Sequence, residues 1–281
     1  MTNNDYLLSF VTAKRIEGCS IRTLDYYTMY VSKMLSQTTK FVQDISTDDI
    51  RVFLSVFQQE NNSSKVTVNN MRRILSSFFG WLENEDYIIK SPMRRIKNIR
   101  TDKTIKETLS DEKLEVLRDH CTNKRDLAIV DLLTSTGIRI GELTRINRGD
   151  VNFHERECVV LGKGGKERTV YFDGKTKVRL MSYLETRTDT NKALFVSLRS
   201  PFSRLQQGGI ETRLREIGKR AGVKDVHPHK FRRTFATRAI DKGMPIEQVQ
   251  ALLGHVRIDT TMHYAMVNQV NVKNSHRKYI G

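Results

Sequence analysis

Five short segments of the sequence carry side chains that could act on a phosphate ester. In chain order they lie at residues 136–143, 162–168, 229–232, 252–255 and 259–264. Together they supply arginine, lysine, histidine and tyrosine. Guanidinium groups can neutralise phosphate oxygens, a histidine can hold or release a proton near neutral pH, and a tyrosine hydroxyl can attack phosphorus. These residue types therefore suit chemistry at a phosphodiester.

Each segment alone has an ordinary structural explanation as well. Arg139 and Glu142 lie three residues apart at the start of a predicted helix, where an intrahelical ion pair is common. Lys163 falls in a glycine-rich connection in which a lysine is usually solvated, and Gly254 has the position of a helix C-cap. No single segment identifies an activity.

The charge of the chain indicates a polyanionic partner. The 48 Lys and Arg against 32 Asp and Glu leave a formal net charge of +16. No long basic tail carries this excess, so the basic side chains must be spread over folded surfaces. Such a distribution is typical of a protein that follows a nucleic-acid backbone, although ribosome-associated proteins and binders of acidic membranes share it.

The composition predicts a cytoplasmic protein with neither a metal nor a cofactor. No stretch approaches the about 18 apolar residues of a membrane span, and the N-terminus lacks the pattern of a signal peptide. The cysteines at positions 19, 121 and 158 are far apart, which argues against disulfides and against a thiolate zinc site. The histidines, His227 and His229 among them, show no H-E-x-x-H spacing.

Residues 1–92 are predicted to form a helical domain. Apolar residues at intervals of three and four mark short amphipathic helices at residues 7–11, 24–35, 50–57 and 68–81. We expect their aromatic side chains to form a core and not a base-stacking platform. Arg72 and Arg73 lie on the polar side of the last helix and are candidate DNA contacts, although adjacent arginines more often mark a solvated face.

A basic segment at residues 93–107 is predicted to link this domain to a second one. Pro92 ends the preceding helix, and the apolar period then lapses. The segment could be only solvated, or it could lie across a DNA duplex. Its candidate DNA contacts are Arg94, Arg95, Lys97 and Arg100.

Residues 108–267 are predicted to form a mostly helical domain with one small antiparallel sheet. Ser110 caps its first helix, and a second helix, at 125–136, ends at Gly137. Strands are expected at 151–153, 158–161 and 169–172, and helices at 210–221, 229–241 and 246–253. The predicted fold class of the whole chain is mainly α with a small antiparallel β-sheet.

The order Arg, Lys, His-x-x-Arg, Gly-His and Tyr resembles the signature of the tyrosine recombinase, or phage integrase, family. Lys163 follows Arg139 by 24 residues, His255 follows Arg232 by 23, and Tyr264 follows His255 by nine, as in Xer-type members. The first domain resembles the family's SAM-like core-binding domain in size and position. The resemblance implies a two-domain, C-shaped clamp around a DNA duplex.

The resemblance also implies a role for each signature residue. Tyr264 would attack the phosphorus and hold the phosphate as a 3′-phosphotyrosine, and Lys163 would protonate the departing 5′ oxygen. Two arginines would neutralise the transition state, two histidines would donate hydrogen bonds or relay a proton, and Glu142 would orient Arg139. The implied catalytic residues are Arg139, Lys163, His229, Arg232, His255 and Tyr264.

The function that follows is site-specific DNA recombination through a Holliday junction, without a metal. The resemblance implies a homotetramer on an inverted-repeat site, a nucleoid-associated cytoplasmic location, and a tail at 268–281 that docks on the adjacent subunit. A frayed terminus is the plainer interpretation of that tail. We expect no arm-binding domain, and hence Xer-like chromosome or plasmid resolution, or integration and excision of a mobile element. Type IB topoisomerase-like relaxation and a non-cleaving DNA-binding protein are the alternatives.

Overall fold

The computed structural model describes residues 1–100, 107–162 and 165–254. The chain divides into two compact units, Met1–Ile105 and Lys106–Gly281. No helix within the described ranges is long and apolar enough to cross a membrane.

The described part of the first unit is a bundle of α-helices, each capped at its N-terminus by a hydroxyl side chain. The helices are α1 (Asn3–Ile16), α2 (Ile21–Leu35), α3 (Thr47–Glu60) and α4 (Lys65–Asn84), with short 3-10 helices at Val42–Asp44 and Pro92–Arg95. Thr2, Ser20, Ser46 and Ser64 accept a bond from the backbone N–H three residues later. This satisfies a donor that a helix start leaves without an intrahelical partner.

Aromatic side chains fill the core of this bundle. Phe10, Phe78 and Phe79 are fully buried, and the rings of Phe10 and Phe78 meet edge to face at 5.3 Å. Phe53, Phe57 and Trp81 are buried as well. The expectation that the aromatic residues of the predicted helices form a core is confirmed for these residues.

The polar segment after α4 begins as part of the first unit. Met93 is buried in the core, and Ile96 and Ile99 pack against it. The hydroxyl of Thr47 donates to the carbonyl of Pro92 at 2.8 Å. The first unit therefore extends past the predicted boundary at residue 92, because three apolar side chains lie within an otherwise basic stretch.

The second unit packs helices around a small sheet. Its elements are α5 (Asp111–Asp119), α6 (Lys124–Thr136), α7 (Ile140–Leu143), a 3-10 helix (Arg148–Asp150), β1 (Val151–Asn152), β2 (Glu157–Leu161), β3 (Glu167–Tyr171), α8 (Gly174–Glu185), α9 (Gln207–Arg220), α10 (Pro228–Asp241) and α11 (Ile246–Leu253). The strands are antiparallel in the order β1-β2-β3, with Cys158 opposite Val170. The predicted fold class, mainly α with a small antiparallel sheet, is confirmed.

Helix α6 is the centre of the second unit. Its residues Ile129, Val130 and Leu133 are almost fully buried, and it contacts both α8 and α10. The helix ends at Gly137, which has a φ of 61° and donates to the carbonyl of Leu133. A Cβ at Gly137 would lie 2.7 Å from the Phe235 ring, so only glycine allows both the turn and the contact.

Candidate functional site

Three arginines from three distant segments meet at the C-terminal end of α11. This helix ends at Gly254, whose φ of 62° turns the chain out of the helix. The last carbonyls of a helix have no intrahelical donor, and cations are favoured at this end of the dipole. The three bonds run from Arg168 Nε to Leu252 O (2.8 Å), from Arg232 Nη2 to Leu253 O (2.6 Å) and from Arg139 Nη2 to Gly254 O (2.9 Å).

Glu142 joins two of these arginines. Its Oε1 accepts from Nη1 of Arg139 and from Nη1 of Arg168, and its Oε2 accepts from Nη2 of Arg168, each at 2.8 Å. Glu142 is only 3% exposed. Burial opposes its ionisation, but the bonds from Arg168 and Arg139 outweigh this and hold the pKa of Glu142 below its ordinary value. Glu142 is therefore a buried anion whose charge is balanced by two guanidinium groups.

Arg232 connects two helix ends from its position on α10. Its Nη1 donates to the carbonyl of Gly137 at 2.8 Å, and its Nη2 donates to the carbonyl of Leu253. Arg232 is 3% exposed, whereas the side chain of Arg139 is 34% exposed. Of the two arginines predicted to bind phosphate, Arg139 is therefore the one that presents donors at the surface.

His229 lies in the first turn of α10, one turn before Arg232. The helix begins after His227 with Pro228 at its first position, where a missing N–H costs nothing. Partial burial, then Arg232, Arg233 and Arg139, lower the pKa of His229, although part of the residue stays open to solvent. The lowered pKa favours the neutral imidazole, in which one nitrogen can donate and the other can accept.

The remaining signature residues, Lys163, His255 and Tyr264, lie outside the described residues. Their described neighbours adjoin the arginine cluster. Gly254, which precedes His255, carries the carbonyl that Arg139 binds. A Cβ at Gly162, which precedes Lys163, would lie 3.8 Å from Glu142 Oε1. The structure thus brings Arg139, Glu142 and Arg232 together with the residues that flank two further signature positions.

The sequence-based prediction assigned no role to Arg168. This residue lies on β3 beside Val170, which is buried, and opposite Val160, which is buried too. Residues two apart on a strand face the same side, so Arg168 occupies a core-facing position. A charged side chain at such a position requires a buried partner. The alternation of Arg168 with Val170 on a predicted strand was therefore the feature of the sequence that could have identified it.

The candidate DNA contacts of the first unit differ in how they are engaged. Arg72 donates to Asn69, to the carbonyl of Ile96 and to Asn98, so it holds its own segment in place. Arg94 pairs with Glu83 at 2.5 Å. The exposed candidates with no such bond described are Arg73, Arg95, Lys97 and Arg100.

Comparison with family models matches both units of the chain. The phage integrase family model matches residues 103–270. The model of the N-terminal SAM-like domain of phage integrases matches residues 6–89.

Individual proteins resemble the chain over nearly its full length. The tyrosine recombinase XerC of Oceanobacillus iheyensis is 32% identical over 291 residues, which cover 97% of this chain and 95% of that protein. The crystal structure of XerA recombinase is 27% identical, with a TM-score of 0.56 over 99% of both chains. The Tn1549 transposon integrase in complex with a circular intermediate DNA aligns with a TM-score of 0.81 over 99% of both chains, at 17% identity.

The last of these likenesses shows a shared fold alone, because its identity is low. The family model, however, matches more than half of the chain, and the XerC relative matches at 32% identity over almost all of it. These matches confirm the resemblance drawn from the signature residues and favour recombination over the topoisomerase and non-cleaving alternatives. The chain therefore belongs to the phage integrase family, as a Xer-like tyrosine recombinase, an enzyme of site-specific DNA recombination.

Proposed function

We propose that the arginine cluster at the end of α11 is the phosphate-binding part of the recombinase active site. The observation that carries this proposal is the meeting of Arg139 and Arg232 on adjacent carbonyls, those of Gly254 and Leu253. Two guanidinium groups held side by side match the charge that grows on the non-bridging oxygens of a phosphodiester under attack. Arg232 is buried, so its contact with phosphate requires a local rearrangement when DNA binds.

The proposed reaction moves one phosphate between two oxygen atoms. The Tyr264 hydroxyl attacks the phosphorus, a bond from Tyr264 oxygen to phosphorus forms, and the bond to the 5′ oxygen breaks. Lys163 gives a proton to that leaving oxygen, while His229 and His255 donate hydrogen bonds or relay the tyrosine proton. Attack by the 5′ hydroxyl of another strand reverses these steps and regenerates tyrosine. The phosphotyrosine ester preserves the energy of the phosphodiester bond, so no ATP is needed, and Arg139 and Arg232 would neutralise the phosphate without a metal.

Glu142 is proposed to act through Arg139 and not on the DNA. It lies buried behind the guanidinium, with both of its oxygens bonded to arginines. A phosphate oxygen would be repelled by this carboxylate, whereas Arg139 still presents donors on its exposed side. Glu142 therefore orients the Arg139 side chain and reduces the entropy that this side chain loses when it binds phosphate.

The proposed substrate is double-stranded DNA with an inverted-repeat site, bound by a homotetramer. Exposed basic residues of the first unit, Arg73, Arg95, Lys97 and Arg100, would bind its phosphates. Arg72 and Arg94 would stabilise the segment that carries Arg95, Lys97 and Arg100. In this proposal, residues 1–92 and the start of the segment at 93–107 form the core-binding domain, the rest of that segment links it to the second unit, and residues 108–267 form the catalytic domain. Action on the chromosome, a plasmid or a mobile element would place the protein at the nucleoid in the cytoplasm.

Subunits are proposed to connect through the tail at residues 268–281. The second unit contains a cavity of about 650 Å³ whose lining combines apolar residues, Phe235, Met244 and Leu252 among them, with charged residues such as Lys175 and Arg238. The apolar part of this cavity suits a few apolar side chains, and Val270 and Val272 in the tail of a second copy are candidates to contact it. Its wall at Leu252 also carries a carbonyl of the arginine cluster, so docking there would bear directly on the site.

Covalent trapping tests this assignment. The probe is a duplex bearing a site selected from random DNA by binding to the protein, with nicks placed along its spacer so that the cleaved fragment is lost. In EDTA, the wild-type protein is expected to become linked to DNA through Tyr264, as peptide mapping would show. Tyr264→Phe is expected to bind the duplex normally and to form no adduct. An adduct on Tyr264→Phe would assign the nucleophile to another residue and overturn the proposal.

A further inference from the structure

Arg168 connects three of the motif segments through one side chain. Its Nε donates to the carbonyl of Leu252, at the end of α11. Its two Nη atoms donate to the two oxygens of Glu142, which lies on α7. Arg168 itself lies on β3, next to the glycine-rich connection. A single guanidinium group thus fixes the positions of the hairpin, α7 and α11 relative to one another.

The contacts of Arg168 leave it poorly placed to bind DNA itself. Each of its three nitrogen atoms is bonded to the protein, and its side chain is only 14% exposed. Arg139 differs, because its described bonds use one hydrogen of each Nη and leave three of its five N–H donors without a partner among the described residues. Arg139 can therefore receive a phosphate while Arg168 remains engaged.

The backbone closes around Arg168 on two sides. A Cβ at Gly254 would lie 3.1 Å from its Nη1, and a Cβ at Gly162 would lie 3.7 Å from the same atom. Its two parallel bonds to Glu142 require the planar fork of a guanidinium. A lysine at this position could make one of these bonds but not both together with the bond to Leu252.

We propose that Arg168 is a positioning residue for the strand-transfer reaction. By holding both oxygens of Glu142, it keeps this carboxylate from turning fully onto Arg139 and fixes the angle at which Arg139 meets the scissile phosphate. By holding Leu252, it fixes the helix end from which Gly254 supports the same guanidinium. The inference rests on the proposed function of Arg139 as a phosphate ligand.

Single-turnover cleavage of the nicked duplex tests the inference, with Arg168→Met and Arg168→Lys as variants. Arg168→Met is expected to cleave about 100-fold more slowly and Arg168→Lys about 10-fold more slowly, because lysine keeps the charge but not the fork. The dissociation constant for the same duplex is expected to change less than about 3-fold, since Arg168 makes no contact with DNA.

Arg187→Met is the matched control for the loss of a buried arginine. The Arg187 side chain is 2% exposed, pairs with Asp189 and donates to the carbonyls of Ala193 and Leu194, none of which belongs to α11. It is expected to lower the melting temperature without slowing cleavage. Arg168→Met that slows cleavage only in proportion to a fall in DNA binding or in folded fraction would overturn the inference.

A double variant tests whether Arg168 acts through Arg139 or independently of it. If Arg168 acts through Arg139, then Arg139→Ala with Arg168→Met is expected to cleave no more slowly than Arg139→Ala alone. Multiplied losses would mean that Arg168 acts independently of Arg139 and would overturn the inference. Wild-type cleavage by Arg168→Met beside an inactive Arg139→Ala would overturn the inference alone. Wild-type cleavage by Arg139→Ala would overturn the proposed function, and the inference with it.

Discussion

Glu142 shows how one buried anion can serve two cations at once. Removing a partner from a buried ion pair costs more than the pair itself contributes, because the remaining charge has lost its solvation. Here the loss of the carboxylate would leave two guanidinium groups facing each other at the end of a helix. The residue therefore contributes to the folding of the second unit as well as to the orientation of Arg139.

The pH dependence of stability is expected to report on this carboxyl. Its pKa is lowered in the folded protein, so it stabilises the fold above its unfolded pKa, and this contribution is lost as the pH falls through the folded value. Glu142→Gln is expected to lower the free energy of unfolding by about 3 kcal/mol at pH 7. The difference from wild type should shrink as the pH falls below about 4. Urea unfolding followed by circular dichroism measures both.

The exposed ion pair of the first unit supplies a control for this experiment. Asp48 pairs with Arg51 at 2.7 Å, and both side chains are largely exposed. Asp48→Asn is expected to change the free energy of unfolding by less than about 0.5 kcal/mol at neutral pH. A Glu142→Gln protein as stable as the wild type at pH 7 would contradict the proposed balance of charges.

At the scale of the element, the end of α11 depends on a glycine for two separate reasons. Gly254 has a φ of 62°, and a Cβ there would press against Arg168 at 3.1 Å. Gly222, which follows the C-cap of α9, has a φ of 65°, but apart from its chain neighbours no atom of the described residues lies within 4 Å of the place where its Cβ would be. The two glycines therefore separate backbone strain from crowding of the arginine.

The alanine variants at these two positions are expected to differ in cleavage rate but to lose similar amounts of stability. Gly222→Ala and Gly254→Ala should each lower the free energy of unfolding by about 1 kcal/mol, because alanine disfavours a positive φ. Only Gly254→Ala should slow cleavage, by roughly 10- to 100-fold, since it displaces Arg168. Thermal unfolding and single-turnover cleavage of the nicked duplex measure the two effects. Equal cleavage rates for both variants would show that the contact with Arg168 does not matter.

The helices of the second unit were largely predictable from the sequence. The patterns at 210–221, 229–241 and 246–253 correspond to α9, α10 and α11 within a few residues. Gly137 ends α6 as expected. These features depend on local chemistry, namely apolar spacing and the freedom of glycine, which can be seen within a short stretch of sequence.

The partners of the arginines could not be predicted in the same way. Arg168 binds residues 26 and 84 positions away, and one of these contacts is with a carbonyl that every residue type possesses. Arg139 and Glu142 were expected to form an ordinary ion pair, and they do, but nothing near them indicated the second guanidinium. Met93, Ile96 and Ile99 were likewise hidden within a basic stretch, because their packing depends on the bundle behind them.

At the scale of the whole molecule, the proposed role of the tail separates DNA binding from assembly. Removing residues 269–281 is expected to leave binding to a single site within about 3-fold, because few basic residues are lost from the total of 48. Synapsis of two sites and formation of Holliday junctions should fall, since a neighbour's cavity would lose its occupant. Native gels and recombination of a two-site plasmid measure these steps.

Two results would bear against that division of roles. If the truncated protein recombined two sites at the full rate, coupling between subunits would have to reside elsewhere. Weaker binding to a single site would mean that the tail contacts DNA. Leu252→Ala is the matched variant, because it removes most of an apolar side chain from the lining of the cavity while keeping the carbonyl that Arg168 binds. It should reduce synapsis as the truncation does.

At the end of α11, the arginines bind main-chain carbonyl oxygens, and this affects which substitutions the protein can tolerate during evolution. A substitution at Leu252 or Leu253 alters packing but cannot delete the acceptor that Arg168 or Arg232 uses. The donor residues cannot vary in this way, because only arginine has a planar guanidinium group with several N–H donors. We therefore expect the side chains at the end of α11 to vary widely among related proteins and the three arginines to vary little. An α11 taken from a distant relative should still bind the arginines if its backbone ends in the same left-handed turn.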